Sequence, residues 1–347
     1  MRNAHARRET GHIQPKIAAR KKAQMVTTPA AQSREGQDVS VRPMQQGDLA
    51  EARRIFRLAF GTFIGAPEPE TFWADREYVF THWRTDPRAA LVAEVGGKLA
   101  GSNFATHWGS FGFFGPLTIH PEFWDRGVAQ RLLGPTMDLF SKWGVREAGL
   151  FTFAHSAKHV GLYQKFGFWP RYLTAIMSKS VERRGDSLVK FSTLGEDEQK
   201  HSLKECRKLT DSIYEGLDVT GETRAVREQQ LGESLLFWDH DSLDAFAVCH
   251  CGAGSEAGSE TCYIKFAAVR PGPNAKGFFD RLLDGCETLA TERQLNRIEA
   301  GVNLSRREAY RQMLGRGFRT DIQGVAMHKP DSPGFNRADA YVIDDWR

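Results

Sequence analysis

Hydrophobic and polar residues alternate over short stretches of this chain, and apolar residues recur with a helical period in the stretches between. "VSVRPM" (39–44) alternates and predicts a strand. The apolar stripe of "LAEARRIFRLAF" (49–60) predicts an amphipathic helix, and the aromatic "PETFWADREYVFTHWR" (69–84) predicts a second one. Gly96-Gly97 separates two further alternating runs, as in a hairpin. The order of elements indicates a mixed α/β fold.

The following strand contains a proline. "SFGFFGPLTIH" (110–120) reads as a strand, but Pro cannot donate a ladder hydrogen bond, so a bulge or an edge is expected at Gly115-Pro116. The pattern then predicts, in order, a helix over about 127–143, a strand over 148–154, a helix over 157–166 and a strand after Gly167.

The chain repeats itself at an offset of 150 residues. Pro121 and Gly127 recur as Pro271 and Gly277, Leu132-Leu133 as Leu282-Leu283, Gly167-Phe168 as Gly317-Phe318, and "MSK" (177–179) as "MHK" (327–329). The strand at 39 also has a counterpart in "VKFSTL" at 189. Several matches at one offset indicate an internal duplication. We therefore predict a tail over 1–38, a first domain over 39–182 and a second over 188–347, in keeping with a length of 347 residues.

Positive charge is concentrated in the tail. Residues 1–37 hold eight Lys or Arg against two Glu, so the rest of the chain is slightly acidic although the formal net charge is +4. We expect the tail to be disordered. Its composition is typical of a segment that contacts nucleic acid or an acidic membrane, or of an organelle-targeting peptide. It is also explained by translation from a start upstream of Met25, and we favour this last interpretation. For the folded part we expect neither a nucleic-acid nor a membrane partner, and the oligomeric state stays open.

The five cysteines lie in the second half. Their odd number, without a secretory segment ahead of them, predicts reduced thiols and a cytoplasmic protein. Cys249-His-Cys251 could suggest a metal, but no second ligand pair follows at zinc spacing. We expect strand cysteines facing the core, and no metal.

The stretch "IHPEFWDRGVA" carries the first chemical signal. It predicts a strand that turns into a helix, whose first amides have no partner inside the helix and attract anions. Gly127 and Ala129 leave space where a phosphate would approach the backbone.

This turn resembles the one that holds the pyrophosphate of acetyl-CoA in the GNAT acetyltransferase superfamily. The matching residues are Trp124, Asp125, Arg126, Gly127, Val128 and Ala129, followed by Gln130 in the first helical turn. Trp124 departs from the family's Arg or Gln, and Arg126 is a candidate replacement. The resemblance implies acetyl-CoA as co-substrate, with the backbone of Leu117, Thr118 and Ile119 pairing with the pantetheine arm.

A second family signature is "HSAKHVGLYQKFGF" (155–168). The resemblance implies that Tyr163 is the general acid, since a phenol with a pKa near 10 can protonate a departing thiolate; a ring packed on the sheet is the alternative. Ser156 stands where the family often has Asn and is expected to contact the pantetheine amides. For a general base the neighbouring histidines are His107, His120, His155 and His159, of which we choose His155.

The second copy has lost these groups. Phe279 stands at the position of Ala129, Arg306 at that of Ser156 and Met313 at that of Tyr163. The expected fold class is therefore α/β, with two tandem GNAT-like domains, each a mixed, mostly antiparallel sheet flanked by helices, the second degenerate. The terminal "FNRADAYVIDDWR" contains a short strand that closes one of the two sheets or caps the first domain's slot; we favour closure.

The resemblance predicts an acetyl-CoA-dependent N-acetyltransferase that acts on a primary amine at one site. The aromatic region after residue 59 suggests a small, partly apolar acceptor; its residues are Phe60, Phe63, Phe72, Trp73, Tyr78, Phe80 and Trp83. The alternative is a non-catalytic acyl-CoA-binding regulatory or sensor module.

Overall fold

The computed structural model describes residues 38–73, 75–182 and 185–346; the predicted tail lies outside them. The first half contains strands β1 to β7, which are Val39–Pro43, Ala90–Val95, Lys98–Trp108, Phe111–Phe114, Thr118–Ile119, Glu147–Thr152 and Trp169–Ser180. Its helices α1 to α4 are Leu49–Ile64, Val79–Thr85, Val128–Trp143 and Ala157–Gln164.

The second half repeats this order. Its strands β8 to β14 are Val189–Lys190, Gly232–Asp239, Ser242–Gly252, Gly258–Val269, Arg297–Asn303, Arg319–Lys329 and Val342–Ile343. Its helices α5 to α8 are Glu196–Ile213, Thr220–Gln229, Ala275–Glu292 and Arg307–Gly315. None of the helices in these described ranges combines the length and the apolarity that crossing a bilayer requires.

The two halves share one sheet and exchange strands at its centre. The order is β1-β2-β3-β4-β6-β13-β7-β12-β11-β10-β9-β8, with β5 pairing with β3 and β14 with β11. The last long strand of each half, β7 or β13, therefore pairs with the penultimate strand of the other half. The described residues accordingly belong to one compact unit. Only β4–β6 and β11–β12 are parallel among the named pairs.

The register of the sheet follows the sequence repeat. Thr174 pairs with Gly324, its own counterpart at the 150-residue offset, in the central β7–β13 pair. On either side, Thr152 pairs with Val325 and Val302 pairs with Ala175, which is the same pairing displaced by that offset. An approximate twofold axis therefore passes through the β7–β13 pair.

Most predicted elements are present, with one correction. The predicted helix over 69–84 forms only as a short 3-10 turn at Pro69–Thr71 and as α2. The backbone between them pairs with the second half instead: the amide of Glu77 donates to the carbonyl of Ser255 at 2.9 Å, and Gly254 donates to Asp75 at 3.0 Å. Tertiary partners for the backbone therefore outweigh helix propensity there.

The predicted irregularity at Gly115-Pro116 is confirmed. The strand divides into β4 and β5 at this point. β5 pairs with β3 along one edge, and no other strand of the described ranges pairs with it. The break therefore leaves a strand edge open beside β6.

Separate cores cover the two faces of the sheet. α3 and α4 pack on one face through residues that include Leu133, Phe140 and Tyr163. On the other face a core joins both halves, with Trp108 and Phe111 beside Leu209 of α5. Cys249 is buried in a further core of the second half, which includes Phe279 of α7, and Cys251 packs against that core, as the strand pattern predicts.

Candidate functional site

A groove of about 740 Å³ lies between α1, β5, the start of α3 and α4. The predicted site residues that line it are Leu117, Thr118, Ile119, Trp124, Asp125, Gly127, Val128, Ala129, Gln130 and Tyr163. They come from three segments, which are residues 117–119, residues 124–130 and Tyr163 of α4. The sheet and its helices therefore bring these ten predicted residues together around one opening.

The turn before α3 presents unpaired amides to the groove. Asp125 and Gly127 adopt left-handed conformations, with φ of 63° and 77°. Within the described part of the chain, no acceptor takes the amides of Gly127, Val128 and Ala129. A Cβ at Gly127 would meet nothing within 4 Å, so glycine is required there by its φ and not by crowding. Such a helix start favours an anion.

Trp124 turns its indole toward β5. Its Nε1 donates to the carbonyl of Ile119 at 2.7 Å, which occupies one acceptor on the strand that lines the groove. The ammonium of Lys158 lies 5.9 Å from the indole centroid and 2.7 Å from the Asp125 carboxylate. Lys158 therefore brings a cation from α4 to the turn. No motif pointed to Lys158, because its position depends on how α4 packs beside α3.

Two predicted residues have other contacts. Arg126 is exposed and its guanidinium lies 5.4 Å from the centroid of the Phe123 ring. The Ser156 hydroxyl caps α4 by accepting the amide of His159 at 3.4 Å. Neither residue lines the groove.

Tyr163 lies at the inner wall of the groove. Its side chain is 8% exposed, and its ring lies 5.7 Å from that of Phe114. Burial raises the pKa of the Tyr163 phenol above its ordinary value, so the hydroxyl stays protonated at neutral pH. None of the hydrogen bonds found among the described residues uses this hydroxyl, which leaves it available to a bound molecule.

The four candidate histidines occupy different environments. His107 stacks on Trp143 at 4.9 Å, and His120 accepts the amide of Glu122 at 3.2 Å. His155 is exposed and stacks on Phe63 at 6.1 Å, outside the groove lining. His159 lines the groove and lies 4.9 Å from Phe63.

His159 also has a shifted pKa. Burial lowers the pKa of His159, and the positive charge of Lys158 lowers it further, with a contribution from His155. A lowered pKa makes the imidazole neutral at pH 7, and a neutral imidazole can accept a proton. Geometry and charge therefore favour His159 over His155 as a proton acceptor in the groove.

Aromatic side chains form the end of the groove next to α1. Phe60, Phe63 and Phe153 line it. Phe72, Trp73 and Tyr78 form a stack outside it, with Phe72 and Trp73 4.5 Å apart and Trp73 and Tyr78 5.8 Å apart. Of the aromatic region singled out in the sequence, only part therefore faces the groove, and Phe153 joins it from β6's end.

Comparison with known proteins gives a family match for the part of the chain that contains the groove. Residues 52–168 match the family model described as the acetyltransferase (GNAT) family. This region of the chain is therefore similar to the GNAT acetyltransferases. The match covers the turn at 124–129, the groove and Tyr163. No curated protein matches the sequence significantly.

Solved structures extend the likeness over both halves. A candidate acetyltransferase from Pyrococcus horikoshii is 13% identical, with a TM-score of 0.63 over 90% of this chain and 95% of that chain. A GCN5-related N-acetyltransferase from Sphaerobacter thermophilus is 15% identical, with a TM-score of 0.56 over 85% of this chain and 96% of that chain. The predicted fold class, two GNAT-like units with a mixed, mostly antiparallel sheet, is confirmed, with the difference that the two units share one sheet.

No group of three or more His, Cys, Asp or Glu side chains within the described ranges is arranged to hold a metal ion.

Proposed function

We propose that this protein belongs to the GNAT superfamily and is an acetyl-CoA-dependent N-acetyltransferase that acetylates the primary amine of a small acceptor. The observation that carries the proposal is the set of unpaired amides of Gly127, Val128 and Ala129, which open into the same groove as Tyr163. The groove volume of about 740 Å³ is in the range of small-molecule sites.

The residues present suit acetyl-CoA. The amides at the start of α3 bind the pyrophosphate, because three donors and the positive end of the helix face one point. The open edge of β5, at Leu117, Thr118 and Ile119, binds the amide-bearing pantetheine arm in the manner of an added strand. That arm directs the thioester toward the Gly115 break and the Tyr163 hydroxyl.

The chemistry divides between two side chains. The amine nitrogen of the acceptor forms a bond to the acetyl carbon, and the bond from that carbon to sulfur breaks with its electron pair on sulfur. His159 accepts the proton that the attacking amine loses, directly or through water. Tyr163 donates its phenolic proton to the departing thiolate, and its raised pKa keeps this proton in place until then.

The aromatic end of the groove selects the acceptor. Phe60, Phe63 and Phe153 offer apolar surface and ring faces to the molecule that carries the amine. Asp125 is the one carboxylate among the described residues that line the groove, and it is already paired with Lys158 at 2.7 Å. An acceptor with a single amine on a partly apolar body suits this lining better than a polycation.

Binding is tested by copying the second half into the first. Ala129→Phe introduces the residue found at the equivalent position 279, and its ring would cover the unpaired amides. We expect calorimetric titration to give one acetyl-CoA per wild-type chain and none for Ala129→Phe. Asp138→Phe, on the exposed side of α3, is the matched control and should bind normally. Equal binding by both variants would contradict the proposed cradle.

Turnover separates the enzyme from the non-catalytic alternative. Thiol release is measured with a panel of amines, and Tyr163→Phe should keep acetyl-CoA affinity while losing on the order of 100-fold in kcat. Binding without thiol release from any amine would favour the sensor module. The observation that favours this second candidate is that the Asp125 carboxylate, which lines the groove, is already paired with Lys158.

A further inference from the structure

The second half has a strand where the first half has its groove. At the 150-residue offset, Leu117–Ile119 correspond to residues 267–269. The C-terminal strand β14 pairs antiparallel with this segment, Ala267 opposite Ile343 and Ala268 opposite Val342. The amide of Val269 also donates to the carbonyl of Tyr341 at 3.0 Å. The edge left open at β5 in the first half is therefore occupied in the second half by the chain itself.

Aromatic rings take the place of the anion cradle. Phe279, at the position of Ala129, is fully buried, and its ring lies 5.2 Å from that of Tyr341. Tyr341 immediately precedes β14. Phe279 thus fills the space where a phosphate would bind in this half, and it also packs against the segment that fills the slot.

A buried guanidinium holds the segment. Arg306, at the position of Ser156, is fully buried. It donates to the carbonyl of Val342 at 3.1 Å and to both carboxylate oxygens of Asp344 at 3.0 and 3.1 Å. A buried arginine is tolerated only with such partners, because an unpaired charge in the interior is costly.

Strand β12, next to the slot, has a glycine where the C-terminal segment contacts it. A Cβ at Gly301 in β12 would lie 2.2 Å from the Cβ of Asp345. The hydroxyl of Tyr263 donates to Asp345 at 3.0 Å. The slot is therefore shaped to hold the Asp345 side chain at this point.

We propose that the slot of the second half is a peptide site whose ligand is this chain's own residues 341–346, so that the second half binds no acetyl-CoA. The inference rests on the proposed function for what the equivalent groove of the first half binds. Compared with the first half, the second half has Arg306 in place of Ser156 and Phe279 in place of Ala129. These two differences convert a site for a phosphorylated ligand into a site for a polypeptide segment.

The same segment reaches the first half. Trp346 is 4% exposed, and its ring centroid lies 5.0 Å from that of Phe111 in β4. A Cβ at Gly149 in β6 would lie 2.8 Å from the Trp346 ring. Residues 341–346 therefore connect the filled slot of one half to the paired strands β4 and β6 of the other.

The experiment loosens the segment in the full-length chain. Arg306→Gln removes the guanidinium, and Tyr341→Ala, at a half-exposed position, is a milder second variant that keeps the buried ion pair. Arg311→Gln, on the exposed side of α8, is the control. Hydrogen exchange of peptides covering 338–346, the unfolding temperature and acetyl-CoA stoichiometry are measured on each.

We expect exchange in 338–346 to rise at least tenfold in Arg306→Gln and measurably in Tyr341→Ala, with Arg311→Gln unchanged. The melting temperature of Arg306→Gln should fall by roughly 5–10 °C, as for loss of one partner of a buried pair in a chain of this size. Stoichiometry should remain one in every variant that folds.

Two results would overturn the inference. Unchanged exchange in both variants would mean that the slot does not hold the segment, and a second equivalent of acetyl-CoA in either variant would mean that the slot is a covered cofactor site. If the wild type binds no acetyl-CoA, the proposed function fails, while the exchange data still decide whether the segment is held as described.

Discussion

In the proposed function, Trp124 changes which side chain would contact the phosphates of acetyl-CoA. Because its indole nitrogen is committed to the Ile119 carbonyl, it has no donor for an anion. Lys158 is the cation that the structure brings to the turn, through Asp125 and the Trp124 ring. Asp125 is 77% exposed, so the Lys158–Asp125 pair contributes little stability and Lys158 can transfer to a phosphate at small cost.

We therefore expect Lys158→Met to weaken acetyl-CoA binding by about tenfold, the effect of one charge-assisted hydrogen bond. S-acetylpantetheine lacks the pyrophosphate, and its KM should not change. Lys142→Met, an equally charged change at an exposed position near the other end of α3, is the control. A loss of the same size with both acetyl donors would show that Lys158 acts on the fold of the groove instead.

His159, the proposed proton acceptor, determines how the rate depends on pH. The proposed reaction needs the acceptor amine and the His159 imidazole in their neutral forms. Below the pKa of His159 both groups must lose a proton, so log kcat/KM rises by two per pH unit; above it only the amine must, so the slope is one. Burial and Lys158 place this change of slope below pH 6.5, the ordinary value for His. His159→Gln should remove the steeper part, and Lys158→Met should move it to higher pH.

These profiles are measured with one amine at saturating acetyl-CoA. His155→Gln is the matched control, since His155 is exposed and outside the groove lining, and its profile should follow the wild type. If the steeper part of the profile were lost in His155→Gln and kept in His159→Gln, the proton acceptor would be His155, as chosen from the sequence. That choice followed the proximity of His155 to the helix that carries Tyr163, which does not show which histidine lines the groove.

At the scale of elements, periodicity was a good guide wherever an element packs mainly on its own half. The helix at 128–143, the broken strand around Gly115 and the turn before α3 depend on local pattern and on the chemistry of Gly and Pro. The helix expected over 69–84 differs, because this segment does not pack mainly on its own half. Its middle residues bind the second half, where Arg76 donates to both oxygens of Glu299 at 3.1 Å.

The same limit applies to β14. A short alternating run near residue 341 predicts a strand, but its partner cannot be read from alternation, because any open edge of suitable polarity would serve. Arg306 was visible in the sequence only as a lost Ser. Its role became clear when the structure placed its guanidinium against Asp344, 38 residues away along the chain.

At the scale of the whole molecule, the duplication was predictable and the strand exchange was not. Five matches at one offset required two copies of the fold, yet two separate sheets would satisfy the same sequence. In the structure β7 and β13 cross over, and a loop of the second half places Glu256 against α2 of the first. We therefore expect the halves to unfold together in one transition.

The contact between the halves also predicts how stability depends on pH. Glu256 lies 2.5 Å from Lys265 and 3.3 Å from His82, beside the buried His250. Burial lowers the pKa of His250 to about 4, against 6.5 for an unperturbed His. Between these values the unfolded chain binds a proton that the folded chain does not. The free energy of unfolding therefore falls as pH falls from 6.5 to 4, by about 3 kcal/mol in all from this residue.

His250→Asn keeps a side-chain acceptor for the Glu256 amide, which His250 Nδ1 accepts at 3.4 Å, but cannot titrate. Urea unfolding of both chains at pH 7 and pH 5 should show a smaller loss of stability at pH 5 for the variant. The buried Glu256 has a pKa well below 4.5, so its own loss of stability comes at more acidic pH in both chains. Parallel losses in wild type and variant would place the acid sensitivity elsewhere, and two separated transitions would show that the shared sheet does not couple the halves.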